Sequence, residues 1–506
     1  MARVKSTAGG AEEWDEAAPR PVALIESLRS FGYSPETAVA DLLDNSMSAG
    51  ASNMKLHFEW AGRDSHVAIV DDGRGMDETT LLEAMRPGSI SPLSTRAASD
   101  LGRFGLGLKT ASFSQARELT VITRDAAERV HVRRWDLDLV EMSGQWRLLR
   151  SPPGQAAAYL DVVARDGGTA VVWSKCDRLV GDVEHDPERA ADRFYTVVDQ
   201  VREHLGATFH RFLTGRGARA IRVNDVAVEP WEPILKHPAT HLVTTEKLPF
   251  RGTRVEVRAY VLPHRSKLSE QQQRAGAGIR GWNAQQGFYV YRNQRLVVSG
   301  DWLGVGGAKD EHTKLGRITI DFDSELDLDW QIDVKKSTAR PPGSLLPDLR
   351  RIAAATRRQA EEVYRLRGVV LRDPRGGRGE RPLVTAWAEY KERSGEVRLR
   401  LNRSHPVLAL ALAGTTQQKR TVERVLRFVE ETLPTSLIGI RLSEALDKQI
   451  PAFEAKPEEV AKLLKWMLEE MIKTGARRDT ALDQLRIAEP FCNFPALLQA
   501  AQEEDL

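Results

Sequence analysis

At 506 residues the chain is too long for one typical domain, and about three are expected at roughly 150 residues each. A hydrophobic share of 41% with 28% charged residues is that of a folded globular protein, and 73 Lys+Arg against 71 Asp+Glu leave a net charge of only +2, which excludes a uniformly basic nucleic-acid coat but not local basic patches. Two cysteines, Cys176 and Cys492, exclude a disulfide scaffold and a cysteine-rich zinc site.

The N-terminal residues 1–20 are polar and small and are expected to be disordered. No apolar run is long enough for a membrane span and the N-terminus lacks a signal-peptide core, so a cytoplasmic protein without membrane association is expected. Residues 21–203 should form the first folded domain. It opens on Ser34-Pro35-Glu36, an N-cap with proline at the first helical position. Ala38, Val39, Leu42, Leu43 and Met47 then recur at helical spacing and should form a buried stripe. Asp41 and Asn45 stand one turn apart on an adjacent face. A carboxylate there can orient or deprotonate water, and an amide oxygen is a hard neutral ligand that magnesium accepts. Taken alone, this stretch is better explained as an ordinary solvated face of an amphipathic helix.

Further along, Met54–Phe58 and Val67–Val70 read as strands, the second running directly into Asp71-Asp72-Gly73-Arg74-Gly75-Met76. A carboxylate at a strand end can accept a hydrogen bond from an exocyclic amine, and glycines allow backbone to approach a flat ring. The Gly-, Ser- and Pro-rich stretch near 86–103 reads as a loop. It leads into Gly102-Arg103-Phe104-Gly105-Leu106-Gly107-Leu108-Lys109, whose glycines expose backbone N–H groups before an expected helix, with Lys109 adding positive charge. This is neither the Gly-x-Gly-x-x-Gly of dinucleotide folds nor a P-loop. Further strands are expected at Leu119–Thr123 and, after Gly168-Thr169, at Ala170–Trp173.

These motifs, in this order and within one domain's length, resemble the GHKL ATPase superfamily: gyrase B subunits, MutL-type repair proteins, ninety-kilodalton heat-shock chaperones, sensor histidine kinases and MORC proteins. The resemblance implies a Bergerat-type α+β sandwich that binds ATP and Mg²⁺. It matches Asp71, Gly73, Gly75 and Met76 to the adenine motif, and Gly102, Phe104, Gly105, Leu106, Gly107, Leu108 and Lys109 to the phosphate loop. Asn45 then falls at the magnesium position, Thr169 near the adenine, and residues 86–103 become a lid that closes over nucleotide. Asp41 stands where most hydrolysing members carry Glu, and Ser48 where many carry Asp, so hydrolysis is expected to be slow.

Residues 204–345 are expected to be a second α/β domain resembling the transducer of MutL-like and MORC-like proteins. Arg254–Val261 alternates as a half-buried strand. Gly287–Val298 reads as a hairpin turning near Arg292-Asn293, and Arg317–Phe322 as another strand. In Trp330–Ser337, Lys335 and Lys336 would point to opposite sides of a continuing strand. The resemblance implies that one transducer lysine reaches the γ-phosphate, and Lys336, nearer the end of the apolar run, is favoured.

Residues 346–382 read as a helix followed by an Arg-rich linker, with Arg372, Arg375 and Arg378 among its cations. Contact with a phosphate backbone and plain solvation explain the linker equally well. Residues 383–506 should be a mostly helical interaction domain, with a short strand at Val397–Leu401, stripes over Thr421–Leu433 and Glu458–Lys473, and a structural His405. No phosphoacceptor-His helix marks a sensor kinase and no cleavage module marks a topoisomerase. The chain is therefore expected to be an ATP-driven switch resembling bacterial MORC-like proteins, and resemblance to the MutL and MORC groups implies that it dimerises on ATP. The same resemblance implies action on or near DNA, with a possible partner nuclease or another protein of a bacterial restriction or anti-phage system. The alternative is an ATP-sensing scaffold or chaperone-like protein with little hydrolysis.

Overall fold

The computed structural model describes Asp15 and residues 19–88, 107–181, 183, 185–365, 384–391, 397–434 and 457–503. The expected disordered N-terminus, most of the expected lid, Gly102, Phe104, Gly105 and Leu106, and the Arg-rich linker lie outside the described residues. Two compact units divide the chain, residues 1–365 and 366–506.

In the first unit, helix α1 (Pro21–Arg29) and helix α2 (Pro35–Ser48) precede strands β1 (Asn53–Glu59) and β2 (His66–Asp71). Next come α3 (Glu78–Met85), α4 (Gly107–Phe113), β3 (Glu118–Arg124), β4 (Val130–Asp136), α5 (Leu137–Ser143), α6 (Gly154–Asp166) and β5 (Thr169–Ser174). Helices α7 (Asp177–Val180) and α8 (Pro187–Thr208) lead to β6 (Ala220–Val223) and β7 (Val226–Ala227). Among the described residues these strands form one sheet in the order β4-β3-β5-β2-β1-β6-β7. Its pairs are antiparallel except β1 with β6.

Alternation along the strands assigns each face its own core. Met54, Leu56, Phe58, Val67, Ile69, Leu119 and Val121 meet the stripe Ala38, Val39, Leu42, Leu43 and Met47 of α2, together with Phe194, Val198, Val201 and Leu205 of α8. On the other face, Ala68, Ile122, Ala170 and Val172 pack under Ala156, Tyr159 and Val163 of α6. The whole α2 stripe is buried, as its spacing predicts. The boundary expected after Glu203 falls inside α8, and the first sheet continues beyond it, because β6 pairs with β1 through Asn53↔Ala220 to Leu56↔Val223.

The second sheet has the order β11-β10-β12-β9-β8, from β8 (His241–Phe250), β9 (Thr253–Val261), β10 (Gly287–Arg292), β11 (Arg295–Asp301) and β12 (Gly316–Phe322). Helices α9 (Glu270–Ala277) and α10 (Gly281–Ala284) precede β10, and α11 (Leu346–Arg365) covers one face with Leu349, Ile352 and Ala353. The β10–β11 hairpin turns at Asn293-Gln294, one residue beyond the expected position, and both turn residues have positive φ (46° and 68°).

Residues 330–337 form turns instead of the expected strand. Trp330 and Ile332 are both buried, and Trp330 stacks on Phe322 with ring centroids 4.5 Å apart. Gln331 and Lys336 adopt φ of 46° and 50°, which a pleated strand does not allow.

The second unit holds a hairpin of Trp387–Lys391 with Val397–Leu401 and five described helices, Pro406–Leu412, Thr416–Glu431, Pro457–Lys473, Arg478–Arg486 and Pro495–Glu503. Val460, Leu464, Met467, Leu482, Leu485 and Phe491 are among its core residues. His405 is buried, its Nε2 lies 2.7 Å from the Glu489 carbonyl oxygen, and burial holds its pKa below the ordinary histidine value. No described helix is long and apolar enough to cross a membrane.

Candidate nucleotide site

Asp71 ends β2, where its neighbour across the ladder is Thr169 at the start of β5. It is buried, and its carboxylate is held from two sides: Ser46 of α2 donates to Oδ2 at 2.7 Å and the Gly73 N–H donates to Oδ1 at 2.9 Å. Burial pushes its pKa above the usual carboxylate value, and these two donors oppose the shift. Thr123 joins the same corner. Its hydroxyl lies 2.9 Å from that of Thr169 and accepts the Met76 N–H at 3.0 Å.

The chain can pass this corner only as glycine. Gly75 has φ of 63°, and a Cβ there would lie 1.9 Å from the Arg124 carbonyl oxygen. The structure therefore brings Asp71, Gly73, Gly75, Met76 and Thr169 together, with Ser46 and Thr123 as additional members.

The other corner lies on α2. Asp41 and Asp44 are buried and Asn45 is exposed, an arrangement set by the register of the buried stripe. Lys336 inserts its ammonium between the two carboxylates, 2.6 Å from Asp41 Oδ1 and 2.6 Å from Asp44 Oδ2. Arg295, the first residue of β11, donates from Nε to Asp44 Oδ1 at 2.9 Å. Tyr33 donates to Asp41 Oδ2 at 3.2 Å and also lies 3.2 Å from the Val334 carbonyl oxygen, and burial, then Asp41, raises its pKa. Two carboxylates and two cations thus balance in a dry setting, where an unpaired charge would cost about 3–5 kcal/mol.

Gly107 abuts this corner. A Cβ at that position would lie 2.5 Å from Asp41 Oδ2, so the end of the glycine loop rests directly on the carboxylate. Leu108 follows it and is half-buried against the first core.

Lys109 follows Leu108 on α4. Its side chain is buried, its ammonium donates to the Ala84 carbonyl at the end of α3 at 2.8 Å, and burial lowers its pKa to about 8. Its place on α4 brings its ammonium to the end of α3. Lys335 is only half-buried and donates to the Gly32 carbonyl at 3.3 Å, away from Asp41 and Asp44. Asp44, Arg295 and Tyr33 were not singled out by sequence reasoning. Asp44 could have been, as the immediate neighbour of Asn45 on the motif helix.

Among the described residues no group of three or more His, Cys, Asp or Glu is arranged to hold a metal ion. A magnesium ion carried in with nucleotide phosphates needs only one or two protein oxygens. The exposed amide oxygen of Asn45 is chemically suited to supply one.

Residues 33–169 match the family described as histidine kinase-, DNA gyrase B-, and HSP90-like ATPase. ATPase morc-1 of Caenorhabditis elegans is 32% identical over 90 residues, which are 18% of this chain and 10% of that protein. The DNA mismatch repair protein MutL of Halobacterium salinarum is 32% identical over 117 residues, 22% of this chain and 18% of its own. MutL of Parabacteroides distasonis is 37% identical over 67 residues, 13% of this chain and 10% of its own. The matched stretch thus spans between 10% and 18% of these relatives' lengths. Residues 33–169 therefore constitute a GHKL ATPase superfamily domain, homologous to MORC- and MutL-type ATP-binding proteins.

Proposed function

We propose that the chain is an ATP-hydrolysing conformational switch whose chemistry is completed by Lys336. One observation carries this proposal: a lysine from the segment after the second sheet lies 2.6 Å from both carboxylates of the α2 motif. ATP would place its adenine amine on the Asp71 carboxylate and its phosphates along the glycine loop ending at Gly107. A water held by Asp41 attacks the γ-phosphorus. The new oxygen–phosphorus bond forms, the bond to the β,γ-bridging oxygen breaks, ADP leaves, and Asp41 takes the water proton. Lys336 and the loop amides offset the charge that develops on the γ-phosphoryl oxygens. Asn45 would hold a magnesium ion, which when bound supplies further neutralisation of phosphate charge. Lys335 takes no part.

Because Lys336 comes from outside the first sheet, turnover should depend on how the two sheets are docked. ATP binding then becomes a signal to the rest of the chain. By analogy with the MORC and MutL relatives, we propose that closure dimerises the chain through its ATP-binding domains. The assembly would act on or near DNA in the cytoplasm, with a partner nuclease or another anti-phage protein. For the DNA part, support comes from the name of one relative, the DNA mismatch repair protein MutL, and for the rest from the family resemblance of the sequence.

The test is phosphate release and ATP calorimetry on wild type and Lys336→Ala. Turnover should fall by about a hundredfold or more while ATP affinity stays within a few-fold. Unchanged turnover in Lys336→Ala would overturn the assignment. A second reading has its own support: both oxygens of Asp41 are already engaged, by Lys336 and by Tyr33. A wild-type protein that binds ATP and releases no phosphate would be the ATP-sensing scaffold instead.

A further inference from the structure

The reaction as written does not use Arg295, yet this residue is more thoroughly enclosed than Lys336. It is only 2% exposed and makes three directed contacts. Nε donates to Asp44 Oδ1 at 2.9 Å, while Nη1 donates to the Lys336 carbonyl at 3.2 Å and to the Leu296 carbonyl at 3.3 Å. Lys336 itself sits in a turn at φ of 50°, outside both sheets, a backbone conformation that costs a non-glycine residue free energy. Surrounding contacts must supply that cost, and the Arg295 bond to the Lys336 carbonyl is one of them.

The hairpin that carries Arg295 holds the same segment at its other end. Arg292, three residues earlier, makes a buried two-pronged pair with Asp327, at 2.7 and 2.9 Å. Between the two arginines, Asn293 Oδ1 accepts the Ser324 N–H at 3.1 Å. The segment from Ser324 to Lys336 is thus pinned to one rigid hairpin at both ends.

We infer that Arg295 is the positioning residue that sets Lys336 beside Asp41. It holds the turn by its carbonyl and shares Asp44 with the ammonium. The inference rests on the proposed role of Lys336. Lysine cannot replace this arginine, because a single ammonium does not present a planar fork to a carboxylate and a carbonyl at once.

Arg295→Gln alone strands a buried carboxylate and endangers folding. Asp44→Asn/Arg295→Gln restores neutrality and keeps the Lys336–Asp41 pair. Three measurements on the double variant decide the matter. Amide hydrogen exchange of residues 333–338 should accelerate by about tenfold or more. Turnover should fall by about a hundredfold with ATP affinity unchanged, the signature of a displaced group. Adding Lys336→Ala should then lower turnover no further.

Wild-type exchange in 333–338 would overturn the inference whatever turnover does. A Lys336→Ala penalty that multiplies in full on the double variant would overturn it too. The role of Lys336 fails by a different sign: wild-type turnover in the Lys336→Ala single variant. In that event accelerated exchange still shows the Arg295–Asp44 pair holding the turn, and only its link to chemistry is refuted.

Discussion

At the Asp71 corner the Ser46 hydroxyl and the Gly73 N–H that bind the carboxylate, and the Thr123–Thr169 hydroxyl pair beside it, all belong to the first sheet and the segments around it. At the Asp41 corner two of the four charges, Lys336 and Arg295, come from the second sheet and the segment after it. The first corner is made of hydrogen bonds to one buried carboxylate, the second of ion pairs between distant parts of the chain. The contrast separates two jobs. On the proposed function, base recognition would need only the first sheet, whereas the charges proposed to act on a γ-phosphate come together only when the two sheets are docked.

Asp41→Asn is the harshest test of that separation. Phosphate release should fall by about 10²–10⁴-fold, with ATP affinity nearly unchanged in calorimetry. An equal loss of affinity would merge the two corners into one functional unit. Asp71→Asn should do the converse. Losing a charge-assisted bond to the base costs about 1.5–3 kcal/mol, roughly ten- to hundredfold in ATP affinity, and thermal melts should show the fold intact.

The pH dependence sharpens the contrast further. The ionised Asp71 carboxylate is the stronger acceptor for an amine proton, because protonation makes one of its oxygens a donor, and burial raises its pKa. ATP affinity should therefore be full above that raised pKa and fall as pH drops through it, starting above the ordinary aspartate value of about 4. The folding contribution has the opposite sign, present at low pH and lost as pH rises through the folded pKa. A calorimetric pH series should show the affinity loss in wild type and a flat profile in Asp71→Asn.

The smallest expected effect belongs to Tyr33→Phe. It removes one hydroxyl that bridges Asp41 and the Val334 carbonyl, worth about 0.5–1.5 kcal/mol, so turnover should drop roughly two- to tenfold at constant ATP affinity.

The first sheet was readable because its signals are local. Val67–Val70 and Ala170–Trp173 are short apolar runs next to glycines, and the α2 stripe repeats at helical spacing, so β2, β5 and α2 follow from neighbouring residues. The Asp41 corner was only half readable. Asp44 and Arg295 meet across 251 positions, and no period in the sequence encodes that contact. Lys109 reads as phosphate-facing from its place after a glycine loop, but its bond to the Ala84 carbonyl comes from packing of α4 near α3, which no local pattern encodes. The strand expected over Trp330–Ser337 failed for a related reason. Its apolar residues fill the second core from turns, and positive φ at Gln331 and Lys336 leaves no trace in hydropathy.

The charge balance of the Asp41 corner also constrains how such a chain can change over evolutionary time. Asp44 and Arg295 are remote in sequence, yet the two carboxylates and two cations of this dry corner balance only while both are present. A drift to a neutral residue at one position strands a charge at the other, so single steps are blocked and paired steps are open. Diverged sequences that keep this arrangement of sheets should vary the two positions together, either retaining both charges or losing both. Positions 41 and 336 should form a second such couple, inherited as a unit although one lies on a helix of the first domain and the other in a turn after the second sheet.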